Sequence, residues 1–188
     1  MTKDRIVSAA RAVLEREGIE GLTIRRVAQQ AELSPMALYR HFAHKDELLN
    51  ALMQDGIAAW EKIVRGLRAR DPLAWLESLG EAYLDFAITQ PHRFDAAFFL
   101  PAPAARRFPD DFAAGRSPAI AMVMAHIEQA KAQGRLRDKP ALETALALAA
   151  FGQGFVSMHR ANRFASEKQF RALYRAAQRQ FLDSLKNA

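Results

Sequence analysis

Between Gly21 and Lys45 the chain reads GLTIRRVAQQAELSPMALYRHFAHK, and few folds are open to a run built this way. Thr23 can cap the free amides of a first turn, and Ile24, Val27 and Ala28 then recur at the spacing that buries one face of a helix. A break falls at Glu32-Leu33. Beyond it Ser34 is a second cap, and Pro35 takes the first helical position, where its missing amide costs no hydrogen bond. On this second helix Leu38 and Phe42 point inward, so Met36, Ala37, Tyr39, Arg40 and His41 lie at or near the outer face. Two short helices joined by a tight turn, the second with a polar outer cluster, predict a helix-turn-helix of the kind that sets its second helix in the major groove of DNA.

Ahead of this run Ile6, Ala9, Ala10, Val13 and Leu14 follow the helical period, which predicts an amphipathic helix over 3–17 stopped by Gly18. Three helices then make an N-terminal head. Thr23-Ile24-x-x-Val27-Ala28, Ser34-Pro35-x-Ala37-Leu38-Tyr39-x-His41-Phe42 and Lys45-Asp46-Glu47-Leu48-Leu49 together resemble the N-terminal domain of tetracycline-repressor (TetR) type transcription regulators over roughly residues 3–50. A Pro91-His92-Arg93-Phe94 step after Ala82-Tyr83-x-x-Phe86-Ala87 resembles one subset of TetR-type C-terminal domains. Two positions depart from the family pattern. Glu32 stands where glycine is usual, so a residue with a side chain has to take a left-handed conformation at a cost of about 1 kcal/mol, or the turn differs. His44 replaces the usual Ser, Asn or Asp cap, although Glu47 could complete half of a capping box.

Charge and composition bound the rest. The whole chain carries +6 from 27 basic and 21 acidic side chains, a modest excess. Residues 21–45 are more telling, since Arg25, Arg26, Arg40 and Lys45 face the single acid Glu32. The absence of cysteine removes disulfides, thiolate metal sites and cysteine nucleophiles, and fits a reducing compartment. The charged opening MTKDRIVSAARAVLEREG does not read as a signal peptide, and no apolar run is expected to approach the roughly 20 residues of a membrane span. A cytoplasmic protein with no membrane association is the expectation.

No strand period or internal repeat is visible in the 188 residues, so the expected fold is all-α, with a helix-turn-helix head at 1–47 and a larger helical body for effector binding and dimerisation at 48–188. Helices are expected from near His44 to the Asp71-Pro72 break, over 73–89, 118–133, 140–162 and 167–186, with a proline-rich loop at 100–119. The Ala- and Gly-dense stretch 145–155 and the apolar stripe of the last helix suit close helix packing across a two-fold axis. Ala145, Ala149, Gly152, Phe170, Leu173, Ala177 and Phe181 are the interface candidates. The TetR resemblance implies such a homodimer; closure of each chain's own core is the alternative.

Within the head, Tyr39, His41 and Lys45 are candidates for phosphate contact, with Thr23, Arg25 and Arg26 beside them. Base reading falls to Ser34, Pro35, Met36 and Ala37, with Arg40 able to read guanine or bind phosphate. In the body Trp60, Trp75, Tyr83, Phe86, Phe94, Phe98, Phe99, Phe151 and Phe155 are either core or the walls of a pocket for a largely apolar small effector. The histidine spacing matches no metal motif, no cofactor is expected, and no Gly-rich phosphate loop or Ser-His-Asp frame argues for an enzyme. The reading that follows is a ligand-responsive repressor binding double-stranded palindromic DNA as a homodimer. Its alternative is a helical DNA-binding or interaction module without a small-molecule ligand.

Overall fold

Gly18 takes φ 66° and ψ −171°, a left-handed excursion that a glycine makes without steric cost, and it interrupts α1 (Lys3–Gly21) where the sequence predicts a stop. In the computed structural model, which describes residues 3–187, the helices that follow are α2 (Ile24–Gln30), α3 (Pro35–Tyr39), α4 (Lys45–Gly66), α5 (Pro72–Thr89) and α6 (Pro91–Phe98). Then come α7 (Asp110–Ala113), α8 (Pro118–Ala132), α9 (Ala141–Arg160) and α10 (Glu167–Leu185). Among the described residues the non-helical pairing is one isolated antiparallel bridge between Leu136 and Lys186. The fold is all-α, as the periodicities require.

The chain divides into two units, Met1–Trp60 with Thr89–Ala105, and Glu61–Ile88 with Arg106–Ala188. The boundary therefore falls inside α4, and a later segment returns to the head. In the first unit Ile6, Ala10, Val13, Leu22, Val27, Leu38, Phe42, Leu48 and Leu52 are almost fully withdrawn from water and form one cluster with Leu100 and Ala102. Burial of this many apolar side chains is what holds three helices of five to nineteen residues together, since α2 and α3 are too short to persist alone. Helix α6 locks on at Gly56, where an added Cβ would lie 2.6 Å from the Arg93 carbonyl oxygen and 2.7 Å from the Ala97 amide nitrogen. Beside it Asp55 accepts from Arg11 of α1 (2.6 and 3.1 Å) and from Arg93 of α6 (3.3 Å), so one carboxylate ties three helices.

In the second unit α10 is pinned along α5. Tyr174 donates to the Gly80 carbonyl (3.1 Å), Gln178 donates to the Glu77 carbonyl (3.0 Å), and Gly80 has no Cβ because the Gln178 amide fills that space. Arg171 pairs with Asp85 (2.6 Å) and Arg175 with Glu81 (2.8 Å) along the same seam. Aromatic contacts join α9 to α10: Phe151 stacks on Phe181 at 5.4 Å between centroids, and His159 lies over Phe170 at 4.1 Å.

Where no apolar run of membrane length was expected, helix α9 is, by length and composition only, long and apolar enough to cross a membrane, and 22 % of that window is buried; a single such helix does not indicate a membrane. The high hydropathy comes from small residues, ALALAAFGQG, rather than from a run of large aliphatic side chains.

Candidate nucleic-acid interface

The helix-turn-helix is assembled by local hydrogen bonds that the sequence specifies. Thr23 is extended (φ −119°, ψ 151°) and its Oγ1 accepts from the Arg26 amide at 3.3 Å, starting α2. Ala31 ends that helix, and Glu32 takes φ 55°, so the left-handed turn is made by a residue with a side chain. The Leu33 amide then returns to the Ala28 carbonyl at 2.8 Å, and Ser34 Oγ accepts from the Ala37 amide at 3.1 Å to start α3. Helix α3 is five residues long, shorter than its periodicity implies. Arg40 caps it, and the amides of His41 and Phe42 both donate to the Leu38 carbonyl (2.9 and 3.0 Å), so His41 stands in the turn after the helix rather than on it. Leu38 and Phe42 are nevertheless buried together, as their spacing demands.

The outward surface gathers the predicted residues. Met36 is 70 % exposed and Tyr39 47 %, unusually open for large apolar or aromatic side chains. Thr23, Arg25, Arg26, Ser34, Pro35, Arg40 and Lys45 are exposed, while Ala37 and His41 are half-buried. Thr23 and Ser34 spend acceptor capacity on their caps, but each hydroxyl proton stays available to donate outward.

The cations separate into two groups. Among the described residues Arg25, Arg40 and Lys45 make no ion pair, whereas Arg26 pairs with Glu17 of α1 and Arg5 pairs with Glu32 at 3.0 Å. Arg5 also donates to the Ala31 carbonyl at 2.9 Å, so it braces the turn twice, and Arg16 donates to Gln30 at 2.7 Å. Sequence reasoning missed Glu17, Arg5 and Arg16 because their partners lie on α2 or in the turn after it, at separations that no periodicity reveals. Lys45 opens α4, where the expected capping box is shifted by one residue: Glu47 accepts from the Ala43 amide at 2.8 Å.

The remaining candidates are distributed differently from the expectation. Trp60, Phe94, Phe98 and Phe99 belong to the first unit, with Trp60 edge-on to Phe98 at 6.1 Å and Phe94 4.9 Å from Phe98. Trp75, Tyr83, Phe86, Phe151 and Phe155 belong to the second, where Phe151 and Phe155 lie 5.0 Å apart. Burial pushes the Tyr83 phenol pKa well up, against a hydrogen bond with Gln153 that works the other way. A cavity of about 640 Å³ opens on the head, lined by residues of α1 and α4 and by Phe42, and it holds none of these nine aromatic residues. Of the interface candidates, Ala145 and Phe170 are closed inside their own unit, and Gly152 abuts the Tyr83 ring so closely that an added Cβ would lie only 3.0 Å from its carbons. These three are core. Ala149, Ala177 and Phe181 are half-buried, and Leu173 is 46 % exposed, joined on the outer faces by Leu146 and Met158, which the sequence reading passed over. The correction is one of helix phase: the apolar residues of α9 and α10 wrap both faces, with Ala145, Gly152 and Phe170 turned inward and Leu146, Met158 and Leu173 outward.

Comparison with known proteins agrees with this architecture. Residues 6–52 match the model for bacterial regulatory proteins of the tetR family, and residues 76–181 match that for the tetracyclin repressor-like C-terminal domain. Among curated relatives, the HTH-type transcriptional repressor DrrR1 of Streptomyces coeruleorubidus is 43 % identical over 53 residues, 28 % of this chain and 20 % of the relative. The HTH-type regulator YobS of Bacillus subtilis is 26 % identical over 98 residues, 52 % of this chain and 51 % of the relative. The chain thus spans about half the length, or less, of the curated relatives it matches. A solved TetR from Acinetobacter baumannii AYE in complex with minocycline superposes with a TM-score of 0.70 at 19 % identity, covering 98 % of this chain and 96 % of that one. With a head model on residues 6–52 and a body model on more than half of its length, the chain belongs to the tetR family of bacterial regulatory proteins.

Proposed function

We propose that this protein is a transcriptional repressor that binds a palindromic operator in double-stranded DNA as a homodimer and is released by a small-molecule effector. The observation that carries the reading is the exposed cluster on and around α3. Met36 and Tyr39 stand open to solvent, with Arg25, Arg40 and Lys45 carrying charge that no acidic side chain among the described residues neutralises. Ser34, Pro35, Met36 and Ala37 would face base edges, the apolar ones reading thymine methyls. Thr23, Tyr39, His41, Arg40 and Lys45 would hold phosphates and fix the register. Such chemistry acts where the chromosome is, which argues for the cytoplasm.

Dimerisation is supported by the outer faces of α9 and α10. Leu146 and Met158 of α9 and Leu173 of α10 are exposed large apolar side chains within a single chain. Two heads related by a two-fold axis require two half-sites in the operator. Effector binding is supported by the aromatic content of both units and by the minocycline-bound relative. An effector can release DNA only by binding the DNA-incompetent state more tightly, and operator then weakens effector by the same factor.

The test is selection of bound duplexes from a genomic pool, followed by anisotropy titration of the enriched sequence at several salt concentrations. A palindrome, a steep loss of affinity with salt, and a Tyr39→Ala variant that binds about tenfold more weakly with unchanged preference are expected. No enrichment, with weak binding indifferent to Tyr39, would overturn the reading.

A further inference from the structure

The head distributes its arginines unevenly, and one arrangement is built across two helices. Arg26, in the first turn of α2, is ion-paired with Glu17 near the end of α1. The carboxylate is the more enclosed partner, 29 % exposed against 54 % for the guanidinium. Glu17 lies also 4.0 Å from Arg16, which in turn donates to Gln30 at the far end of α2. Gly21 makes the approach possible: a Cβ there would lie 2.9 Å from Glu17 Oε2 and 3.2 Å from Arg26 Nη1, and would collide outright with Glu17 Cβ. The neighbouring Arg25 has no ion pair among the described residues, so two adjacent arginines of one turn stand in opposite electrostatic states.

We infer that Glu17 is an affinity-setting residue that competes with DNA phosphate for Arg26. This rests on the proposed reading of the head as a DNA binder. A guanidinium offers five donors and can serve a carboxylate and a phosphate together, but the carboxylate lowers the net charge that a phosphate meets. The affinity forgone is of the kind that any duplex would collect, because phosphate contacts carry no base information. Glu17 therefore restrains non-specific binding more than operator binding, and widens the ratio between them. The Arg5–Glu32 pair differs in kind, since Arg5 also holds the Ala31 carbonyl and braces the turn.

The experiment is a double-mutant cycle with Glu17→Gln, Arg26→Gln and both together, titrated against operator and a scrambled duplex over a range of salt. Glutamine keeps the length and hydrogen-bonding reach of Glu17, and thermal unfolding of each variant checks that the head is intact. Glu17→Gln is expected to tighten the scrambled duplex by roughly 3- to 10-fold and operator by less, and to steepen the salt dependence by up to about one ion per head. In the Arg26→Gln background the same change should have almost no effect. A gain that persists in that background shows a general charge effect and overturns the competition. Weaker DNA binding by Glu17→Gln also overturns it, making Glu17 a support for Arg26 instead. If wild-type protein shows no salt-dependent duplex binding, the DNA reading fails and this inference falls with it; if wild type binds and Glu17→Gln is silent, only the inference fails.

Discussion

Glu32 shows how a single residue can be costly for backbone and useful for side chain. Its φ of 55° is a conformation that glycine adopts freely and an L residue pays for, yet its carboxylate reaches Arg5 at 3.0 Å. Glu32 is 85 % exposed, and a pair so open to water contributes about 0–1 kcal/mol, comparable with the roughly 1 kcal/mol of left-handed strain. Glu32→Gly is therefore expected to leave stability within about 1 kcal/mol of wild type, with any change a gain, because Arg5 keeps its bond to the Ala31 carbonyl. Urea unfolding measures this, and a loss above that margin would show that the ion pair outweighs the strain. Strain at residue 32 was expected from the family resemblance, which puts glycine there, with a different turn as the alternative, and φ 55° decides for the strain. The identity of its partner was not legible, because residues 5 and 32 meet only when α1 packs across α2.

At the scale of elements, caps and periodicity account for most of what forms. Thr23 and Ser34 start α2 and α3 as their hydroxyls predict, Ser166 starts α10 by accepting from the Gln169 amide at 3.2 Å, and Gly18 ends the first regular run. What periodicity could not supply is which helix sits against which. Gly56 reads in sequence as a weak point in α4, worth up to about 1 kcal/mol of lost helix propensity. In the fold it is a contact with backbone: α6 comes so near that a Cβ would lie 2.6 Å from the Arg93 oxygen. Gly56→Ala should accordingly destabilise by about 1–3 kcal/mol despite its better propensity. Gly66→Ala, with nothing within 4 Å of the added methyl, should be neutral or stabilise by a few tenths up to about 1 kcal/mol. Differential thermal unfolding of the two variants decides the matter, and a stabilised Gly56→Ala would mean that α6 does not pack on α4 as closely as described.

For the molecule as a whole, the proposed dimer makes the sharpest demand on α9 and α10. Leu173 is 46 % exposed and lies outside the core of its unit, so Leu173→Glu should leave the monomer folded while placing charges across the two-fold axis. Sedimentation is expected to report the 21.0 kDa chain in place of twice that mass, and operator affinity should fall by roughly 10²-fold or more as paired binding is lost. A variant that remains dimeric would move the interface elsewhere. Phe170 illustrates why the sequence misplaced part of that surface: its helical stripe is real, but a stripe does not say whether its neighbour is the same chain or a second copy, and here Tyr174 and His159 enclose it. The aromatic candidates teach the same lesson, since residues alike in type are shared between two units. The sequence by itself determined most of the helices, the caps that start α2 and α3 and the exposed residues on and around α3, because caps, turns and periodicity act over a few residues. The helix at Pro91–Phe98 and the early ends of α3 and α4 were not foreseen. Only the tertiary structure decided that Glu17 holds Arg26, that Asp55 joins α1 to α6, and which apolar faces are closed, because those follow from contacts between residues distant in the chain.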